Sequence, residues 1–532
     1  MALTAHSFDT IVIGSGFGGV MAALPLVERG ERVLLLERGD WVARGPQNWE
    51  MAHAFQLSPH YTANTPFLVD HPRTPYRAGT FHCVGGPSVF YGGASLRLRE
   101  RDFAPGAAIV GDSGAEWPFG YSDLAPYYGW AESLLGVAGD DRDDPTAPPR
   151  AAPYPAPPLP FTPPAQRVAQ AARRVGLHPF PLPLAINAIT SAGRHACQQC
   201  STCDGFACAI GAKNDLATTL VPRLLGAGME LRTNTVALQL NIANGRVGGI
   251  RVVNVRSGER STVRAQRVIV AAGTLATPQL LLASGVDRYS PAPHTIGRYL
   301  TRHVNHLTLG ICPRPTNPEG VFHKQVAIHD FYFGAPGVDP AIGKLGAIQQ
   351  ITAPGPAYVQ RYLPPLVGHI AAVAVRNVLA LLTIAEDAPD ARNHVTLDPR
   401  QQDAWGVPLL RIHHRHSPRD RAAARALVHQ ARVILREAGA MFSIVHELRS
   451  FSHALGSVRM GMDETTAPLD ECGRVRGIDN LFVSDGSALP TAGGVNPSLT
   501  IAANALRIGA ILAGWPTPPA STQRVMPTIG GW

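Results

Sequence analysis

Four of the seven cysteines of this 532-residue chain lie close together, at the spacing C-x2-C-x2-C-x4-C. They are Cys197, Cys200, Cys203 and Cys208. The first three match the start of a ferredoxin run, whose ligands suit an iron–sulfur cube better than a single zinc ion. Reduced structural thiols are the favoured interpretation, and disulfides would require an oxidising compartment. We therefore expect this stretch to shape a loop and to take no part in catalysis.

A glycine-rich turn near the start of the chain predicts a nucleotide site. Gly14, Gly16 and Gly19 form G-x-G-x-x-G between an apolar strand and a helix, and Glu37 ends the next strand. The glycines allow a tight turn, a close approach to a pyrophosphate and close helix packing, while the acid accepts hydrogen bonds from ribose hydroxyls. The acid disfavours the 2′-phosphate of NADP, which leaves FAD or NAD. The chain has no second such motif for NAD(P)H, and the strand and turn at 266–285 favour FAD.

Composition excludes several other classes of protein. Hydrophobic residues make up 45% of the chain and charged residues 16%, as in a globular protein. The net charge of +8 is spread along the chain without a basic run, so no nucleic-acid partner is expected. No signal peptide is recognisable, which predicts a cytoplasmic protein. The apolar segment 366–385 contains His369 and Arg376, so we expect a buried strand or helix there rather than a membrane span, with peripheral membrane contact left open.

Motifs along nearly the whole chain are together similar to those of the glucose–methanol–choline (GMC) oxidoreductase family. They comprise IVIGSGFGG at 11–19, VGGPSVFYGGASLR at 84–97, WPFGYSDLAPYY at 117–128, ACAIGAKND at 207–215, AAGTLATPQLLLASG at 271–285, IGRYLTRH at 296–303, SHALGSVRMG at 452–461 and NLFVSDGSALPTAGGVNPSLTIAANALR at 480–507.

The resemblance implies an α/β fold, α+β overall, in which a Rossmann-like FAD-binding domain is built from discontinuous segments. An antiparallel sheet would form the substrate domain. The implied boundaries are 1–160, 186–300 and 447–532 for the FAD-binding domain, 161–185 for a connecting segment on the substrate side, and 301–446 for the substrate domain.

The resemblance also implies the residues of a reaction centre. His453 lies in SHALGSVRMG and would accept the proton of a substrate hydroxyl, a task suited to an imidazole. Asn496 holds the position of its partner and would orient the substrate oxygen, although an Asn followed by Pro497 is also typical of a helix start. The positive end of that helix would face the flavin.

Further positions carry over from the family to the cofactor. Gly85, Gly86 and Ser88 would lie against the flavin and its phosphates, and Val236 would meet the adenine with its backbone. Asp485 and Gly486 would lie near the ribityl chain and pyrophosphate. Some members link FAD through a histidine in the loop that here carries Val, Phe and Tyr at 89–91. We therefore expect non-covalent FAD and no bound metal ion.

The expected activity is FAD-dependent oxidation of a primary or secondary alcohol, which could be a sugar, a sterol or another alcohol. The hydroxyl proton would go to His453 and the hydride to flavin N5. Either oxygen or a quinone or other electron carrier could accept the electrons. Two alternatives stay open, namely an acceptor-linked dehydrogenase with an iron–sulfur cluster at the four cysteines and a non-redox lyase on the same fold.

Overall fold

The computed structural model describes residues 8–49, 61–62, 65–71, 74–190, 193–321, 323–353 and 355–515. Its central element is a parallel sheet of five strands in the order β20-β12-β1-β2-β8. Buried apolar runs form β2, β20 and the second halves of β1 and β12, because both faces of the sheet are covered there, whereas the edge strand β8 is partly exposed. The strands are β1 (Phe8–Ile13), β2 (Val33–Leu36), β8 (Glu230–Arg232), β12 (Ala265–Val270) and β20 (Leu481–Val483).

Two long helices from opposite ends of the chain pack together beside this sheet. They are α1 (Phe17–Glu28) and α10 (Ser498–Leu512), and α3 (Tyr121–Leu134) packs on α10. A Cβ atom on Gly509 would lie 2.4 Å from the carbonyl oxygen of Ala22, so a glycine is required for the two helices to approach this closely. The Rossmann-like sheet and helices confirm the predicted fold of the FAD-binding part.

A second sheet has six antiparallel strands in the order β19-β13-β16-β15-β14-β7. Helices α4 (Pro163–Arg174) and α9 (Pro418–Glu437) cover one face, where Val304, Ile348 and Leu381 pack against Leu427. The predicted antiparallel sheet is therefore present. Its strands are β7 (Phe180–Pro181), β13 (Val304–Ile311), β14 (Val326–Ile328), β15 (Gly346–Ile351), β16 (Val378–Ala385) and β19 (Phe442–Leu448).

Smaller elements complete the described part of the chain. An antiparallel meander contains β9 (Thr235–Ala243), β10 (Arg246–Asn254) and β11 (Arg260–Val263). A mixed sheet contains β4 (Phe67–Val69), β5 (Tyr76–Arg77), β17 (His394–Gln402) and β18 (Pro408–His413), and β3 (Tyr61–Thr62) pairs with β6 (Thr80–Phe81). The other α-helices are α2 (Ala107–Val110), α5 (Leu220–Gly226), α6 (Ala276–Ala283), α7 (Pro356–Tyr362) and α8 (Pro365–Ala374).

The apolar segment 366–385 divides between two environments. Its second half is β16, which is buried along its whole length as predicted. Its first half belongs to α8, where Leu366 is 77% exposed, Ile370 66% and Val373 79%. The expectation of burial is therefore wrong for the helix. Among the residues that the structure describes, no helix is both long and apolar enough to cross a bilayer.

Candidate active site

The glycine turn after β1 has almost no room for side chains. Gly14 has a φ of +104°, and a Cβ atom there would lie 2.3 Å from the carbonyl oxygen of Ala271. A Cβ atom on Gly19 would lie 1.8 Å from the carbonyl oxygen of Gly14, so this glycine sets the contact between helix and strand. Gly16 is different because a Cβ atom there would meet nothing within 4 Å. The N-terminus of α1 therefore faces open space, as a pyrophosphate site requires.

Glu37 follows directly after β2 and is held by backbone donors. Its carboxylate accepts hydrogen bonds from the amide of Ser15 at 3.1 Å and from the amide of Gly39 at 2.8 Å. Burial raises its pKa, and these hydrogen bonds oppose the rise. The carbonyl of Glu37 accepts the amide of Thr235 at 2.8 Å, which places the start of β9, with the buried Val236, beside it.

A second glycine turn meets the first. Gly85 and Gly86 both have positive φ, at +86° and +55°, and a Cβ atom on Gly86 would lie 3.1 Å from Cα of Gly16. The amide of Gly85 donates to Oγ of Ser15 at 3.0 Å. Ser88 is fully buried, and its hydroxyl donates to the carbonyl of Gly85 at 2.6 Å. Ser88 thus braces the turn from inside.

The end of β20 closes the same edge of the parallel sheet. Asp485 is buried and accepts hydrogen bonds from the amide of Gly273 at 2.7 Å and the amide of Ser487 at 2.9 Å. Burial raises its pKa. A Cβ atom on Gly18 would lie 2.8 Å from Cα of Asp485, and one on Gly486 would lie 2.8 Å from Cδ2 of Leu455. The carboxyl ends of β1, β12 and β20 therefore converge, which is where ligands bind in such sheets.

His453 lies in the loop before β20 and is half-buried. Its Nδ1 is 2.9 Å from Nδ1 of His303, and the two rings are nearly perpendicular at 87°. The pKa of His453 lies well below its ordinary value, first because of burial and then because of His303 and Lys324. The imidazole is therefore neutral near pH 7, the state that a proton acceptor needs.

Asn496 lies in the turn before α10 and is only 7% exposed. Its Oδ1 accepts a hydrogen bond from Nε2 of Gln349 at 2.6 Å, which leaves its NH2 group to donate to another molecule. The residue preceding α10 is Pro497, and no side chain caps this helix. The interpretation of Asn496 as a helix cap is therefore wrong, because its side chain turns to the antiparallel sheet.

Other contacts tie the turn before α10 to the antiparallel sheet. The amide of Gly493 donates to Oε1 of Glu386 at 2.8 Å, and the amide of Gly494 donates to the hydroxyl of Tyr332 at 2.8 Å. Nε2 of His303 lies 2.8 Å from the carbonyl oxygen of Gly493. His303 thus joins the loop that carries His453 to the turn that carries Asn496.

His303 and Gln349 are site residues that the sequence did not single out. Each meets its partner across about 150 residues of chain, since His303 and His453 are 150 positions apart and Gln349 and Asn496 are 147 apart. The available signal for His303 was its place at the end of IGRYLTRH. The signal for Gln349 was a pair of glutamines, Gln349 and Gln350, inside the buried strand β15.

The four clustered cysteines lie beside the second glycine turn, and all are free thiols. Burial raises the pKa of Cys197 to about 11 and that of Cys203 to about 12. Nζ of the buried Lys213 donates to the carbonyls of Cys203 at 2.9 Å and Phe206 at 2.7 Å, and lies 3.3 Å from that of Val89. The loop is therefore organised around a lysine.

One buried cluster has the residue types of a metal site. Within the described ranges, Asp387, His414 and His416 are the group of three such side chains whose ligand atoms all lie within 4.8 Å of one another, and the four cysteines form no such group. Nε of Arg302 donates to Nδ1 of His414 at 3.3 Å, and Nε2 of His414 lies 3.3 Å from Oδ2 of Asp387. Both nitrogens of His414 are thus used in hydrogen bonds within the protein.

Comparison with known proteins identifies relatives along the whole chain. Residues 161–305 and 389–505 match two family models described as GMC oxidoreductase. Paromamine 6'-oxidase of Streptomyces fradiae is 32% identical over 95% of this chain and 91% of its own. The 2-methyl-1,2-propanediol dehydrogenase of Mycolicibacterium austroafricanum is 29% identical over 96% of both chains. The solved structure of pyridoxine 4-oxidase from Mesorbium loti superposes with a TM-score of 0.68 at 20% identity, over 95% of this chain and 99% of that one.

The residues at the converging strand ends fit FAD. The open space before α1 suits a pyrophosphate, and the buried carboxylate after β2 suits a ribose. With its relatives at 32% identity over nearly the full length, the chain belongs to the GMC oxidoreductase family and is an FAD-dependent alcohol oxidoreductase.

Proposed function

We propose that His453 and Asn496 act as the pair that removes the hydroxyl proton of the substrate alcohol. His453 accepts the proton, and the amide of Asn496 donates a hydrogen bond to the substrate oxygen. When bound, FAD supplies the hydride acceptor at N5, so the carbinol carbon loses a hydride and becomes a carbonyl carbon. The observation that carries the proposal is the pair of contacts made by His303. One ring nitrogen of His303 contacts His453, and the other contacts the carbonyl of Gly493, in the turn that carries Asn496.

We assign the cofactor-binding residues of the chain to two parts of FAD, its adenine nucleotide and its flavin with the ribityl chain. Gly14, Gly16 and Gly19 hold the pyrophosphate, Glu37 the ribose, and the backbone at Val236 the adenine. The remaining contacts are toward the flavin and ribityl chain, from Gly85, Gly86, Ser88, Asp485, Gly486 and Pro497. Val, Phe and Tyr at 89–91 form no histidyl link, so the FAD is non-covalent. We also propose that residues 1–160, 186–300 and 447–532 form the FAD-binding domain, that residues 301–446 form the substrate domain, and that residues 161–185 connect them.

The substrate that we propose is an alcohol bearing further hydroxyl or amino groups. Asn305 and Gln349 are both buried, and Oδ1 of Asn305 and Oε1 of Gln349 have no hydrogen-bond partner. Buried acceptors without partners are costly, so a bound molecule that donates to them would gain affinity. This requirement favours a polar substrate over a sterol. Relatives whose names specify paromamine and a propanediol support it.

An anaerobic mixing experiment tests the activity and the substrate class together. The purified yellow protein is mixed without oxygen with amino sugars, diols, simple alcohols and sterols, and the flavin absorbance is followed. We expect bleaching by polyhydroxylated or amino alcohols. Rapid recovery in air would assign an oxidase, and recovery only with a quinone would assign a dehydrogenase. A flavin that no alcohol reduces would contradict the proposed oxidation and favour the lyase.

We propose that the four cysteines are reduced structural thiols rather than ligands of an iron–sulfur cluster. Support comes from the geometry, because the four cysteines are not among the described side chains whose potential ligand atoms cluster closely enough to hold a metal ion. Iron and acid-labile sulfide are measured after anaerobic purification. Stoichiometric iron, with broad absorbance near 400 nm that survives removal of the flavin, would contradict this and assign an acceptor-linked dehydrogenase.

Peripheral contact with an anionic bilayer is our proposal for the exposed side of α8. Leu366, Val367, Ile370 and Val373 are all more than half exposed there. The sequence has no acidic residue between Asp339 and Glu386, whereas it has lysine and arginine. An exposed apolar helix in a stretch of sequence whose charged residues are all basic suits an anionic bilayer surface, which for a cytoplasmic protein is the inner face of the cell membrane.

Flotation with vesicles tests this contact. Vesicles rich in phosphatidylglycerol should carry the protein upward, vesicles of phosphatidylcholine much less, and Ile370→Glu should abolish flotation. Met462→Glu is the matched control, since Met462 is 60% exposed elsewhere. Absence of flotation, or an oligomer that Ile370→Glu dissociates, would contradict the membrane contact.

A further inference from the structure

His303 has one ring nitrogen whose protonation is fixed by its partner. The residue is 2% exposed, and its Nε2 lies 2.8 Å from the carbonyl oxygen of Gly493. A carbonyl oxygen can only accept a hydrogen bond, so Nε2 of His303 carries a hydrogen. Burial lowers the pKa of His303, and the neutral ring therefore has its lone pair on Nδ1.

The contact with His303 also fixes the tautomer of His453. Nδ1 of His303 lies 2.9 Å from Nδ1 of His453. Since His303 offers a lone pair at this contact, His453 must donate, and its hydrogen lies on Nδ1. A neutral imidazole has only one hydrogen on nitrogen, so the lone pair of His453 lies on Nε2.

We propose that His303 is a positioning residue that fixes the tautomer of His453 and keeps its Nε2 free to accept the substrate proton. The inference rests on the proposed role of His453. A proton acceptor works only in the tautomer whose lone pair faces the substrate, so an orienting partner acts through the population of that tautomer. The proposed role of the motif IGRYLTRH is therefore to place its last residue, His303, next to His453.

Neighbouring charges hold His303 in place. The amide of Arg302 donates to Oδ2 of Asp387 at 2.7 Å, which anchors the backbone at the start of β13. Beside the effect of burial, Asp387 raises the pKa of His303 and Lys344 lowers it. Lys324 lowers the pKa of His453. Asp387, His414 and Arg302 are therefore joined in one hydrogen-bond network at this anchor.

Two substitutions separate positioning from packing. His303→Asn places an amide near the position of Nδ1, where it can accept from His453. His303→Gln places an amide near the position of Nε2, where it can donate to Gly493 but cannot reach His453. We expect kcat to fall roughly 10- to 100-fold in His303→Gln, with KM changed less than about threefold, and most of the loss to be recovered in His303→Asn. His306→Asn is the matched control on the helix-covered side of β13 and should leave kcat unchanged.

Flavin content and melting temperature are measured for each variant, together with kcat over pH. Equal activity of the Asn and Gln variants, or a Gln variant more active than Asn, would overturn the inference and assign His303 to packing. His453→Ala separates this failure from that of the proposed function. If His453→Ala retains turnover, the proposed base is wrong, whereas an inactive His453→Ala with a fully active His303→Gln contradicts only the tautomer role.

Discussion

The nucleotide end and the reacting end of the cleft are built in opposite ways. At the nucleotide end, Gly14 and Gly19 leave no space for a Cβ atom, and backbone amides hold the carboxylate of Glu37. At the reacting end, the contacts are made between side chains, such as His453 with His303 and Asn496 with Gln349. The nucleotide end depends on the absence of side chains at its glycines. The reacting end depends on which side-chain atoms donate and which accept hydrogen bonds.

This difference determines what a substitution does. A side chain added at Gly14 or Gly19 pushes backbone segments apart, so it changes folding and FAD content. A side chain altered at the reacting end leaves the backbone in place, so it changes turnover per bound flavin. The following predictions test whether the two ends separate in this way.

The largest effect is expected for Gly19→Ala. Its Cβ atom would lie 1.8 Å from the carbonyl oxygen of Gly14, so α1 must move away from β1. We expect a loss of stability of more than about 3 kcal/mol and no soluble holoprotein. Gly16→Ala is the matched control, because its Cβ meets no protein atom, and it should fold normally while binding FAD more weakly. Circular dichroism and flavin content distinguish the two, and normal flavin content in Gly19→Ala would refute the packing argument.

His453→Ala should lower turnover by roughly 100-fold or more, the scale of a lost general base, with flavin content unchanged. Wild-type turnover in this variant would show that another group accepts the proton.

The pH dependence of the wild-type enzyme tests the same residue. The folded-state pKa of His453 is lowered, so its neutral form persists to lower pH than that of a free imidazole. The acid limb of kcat/KM should therefore lie below pH 6.5. An acid limb above that value would contradict the effect of burial.

Glu37→Ala should act at the other end. Loss of the carboxylate that we place at the ribose should weaken FAD binding by roughly tenfold, the scale of a hydrogen bond to a charged group. Thermal stability should also fall, because the amides of Ser15 and Gly39 lose their acceptor. Turnover per bound flavin should remain near that of the wild type. A Glu37→Ala holoprotein with normal FAD affinity and low turnover would contradict the assignment of Glu37 to the nucleotide end.

The smallest effect is expected for Gln349→Met, which keeps the side-chain volume but removes the donor to Asn496. The amide of Asn496 would lose its fixed orientation, and kcat/KM should fall roughly three- to tenfold, the value of one neutral hydrogen bond. Flavin content should not change. An unchanged kcat/KM would contradict both the orienting role of Gln349 and the proposed contact of its Oε1 with the substrate.

The sequence by itself determined the nucleotide end, because its parts are close in the chain. A strand, a glycine turn, a helix and Glu37 lie within thirty residues, and their conformations follow from local sterics. His453 and Asn496 came instead from the resemblance to the family, which rests on motifs that are each short and contiguous. The same resemblance implied the Rossmann-like part and the antiparallel sheet, and both are present.

Only the tertiary structure decided which side chains meet. His303 reaches His453 because β13 begins next to the loop of His453, and Gln349 reaches Asn496 because β15 passes the turn before α10. The sequence interpreted Asn496 as a possible helix cap and α8 as buried, and both were wrong. A polar side chain forms hydrogen bonds with the groups that the fold brings near, and an apolar helix is buried only where another surface covers it. Neither the partner of Asn496 nor the exposure of α8 can therefore be predicted from the local sequence.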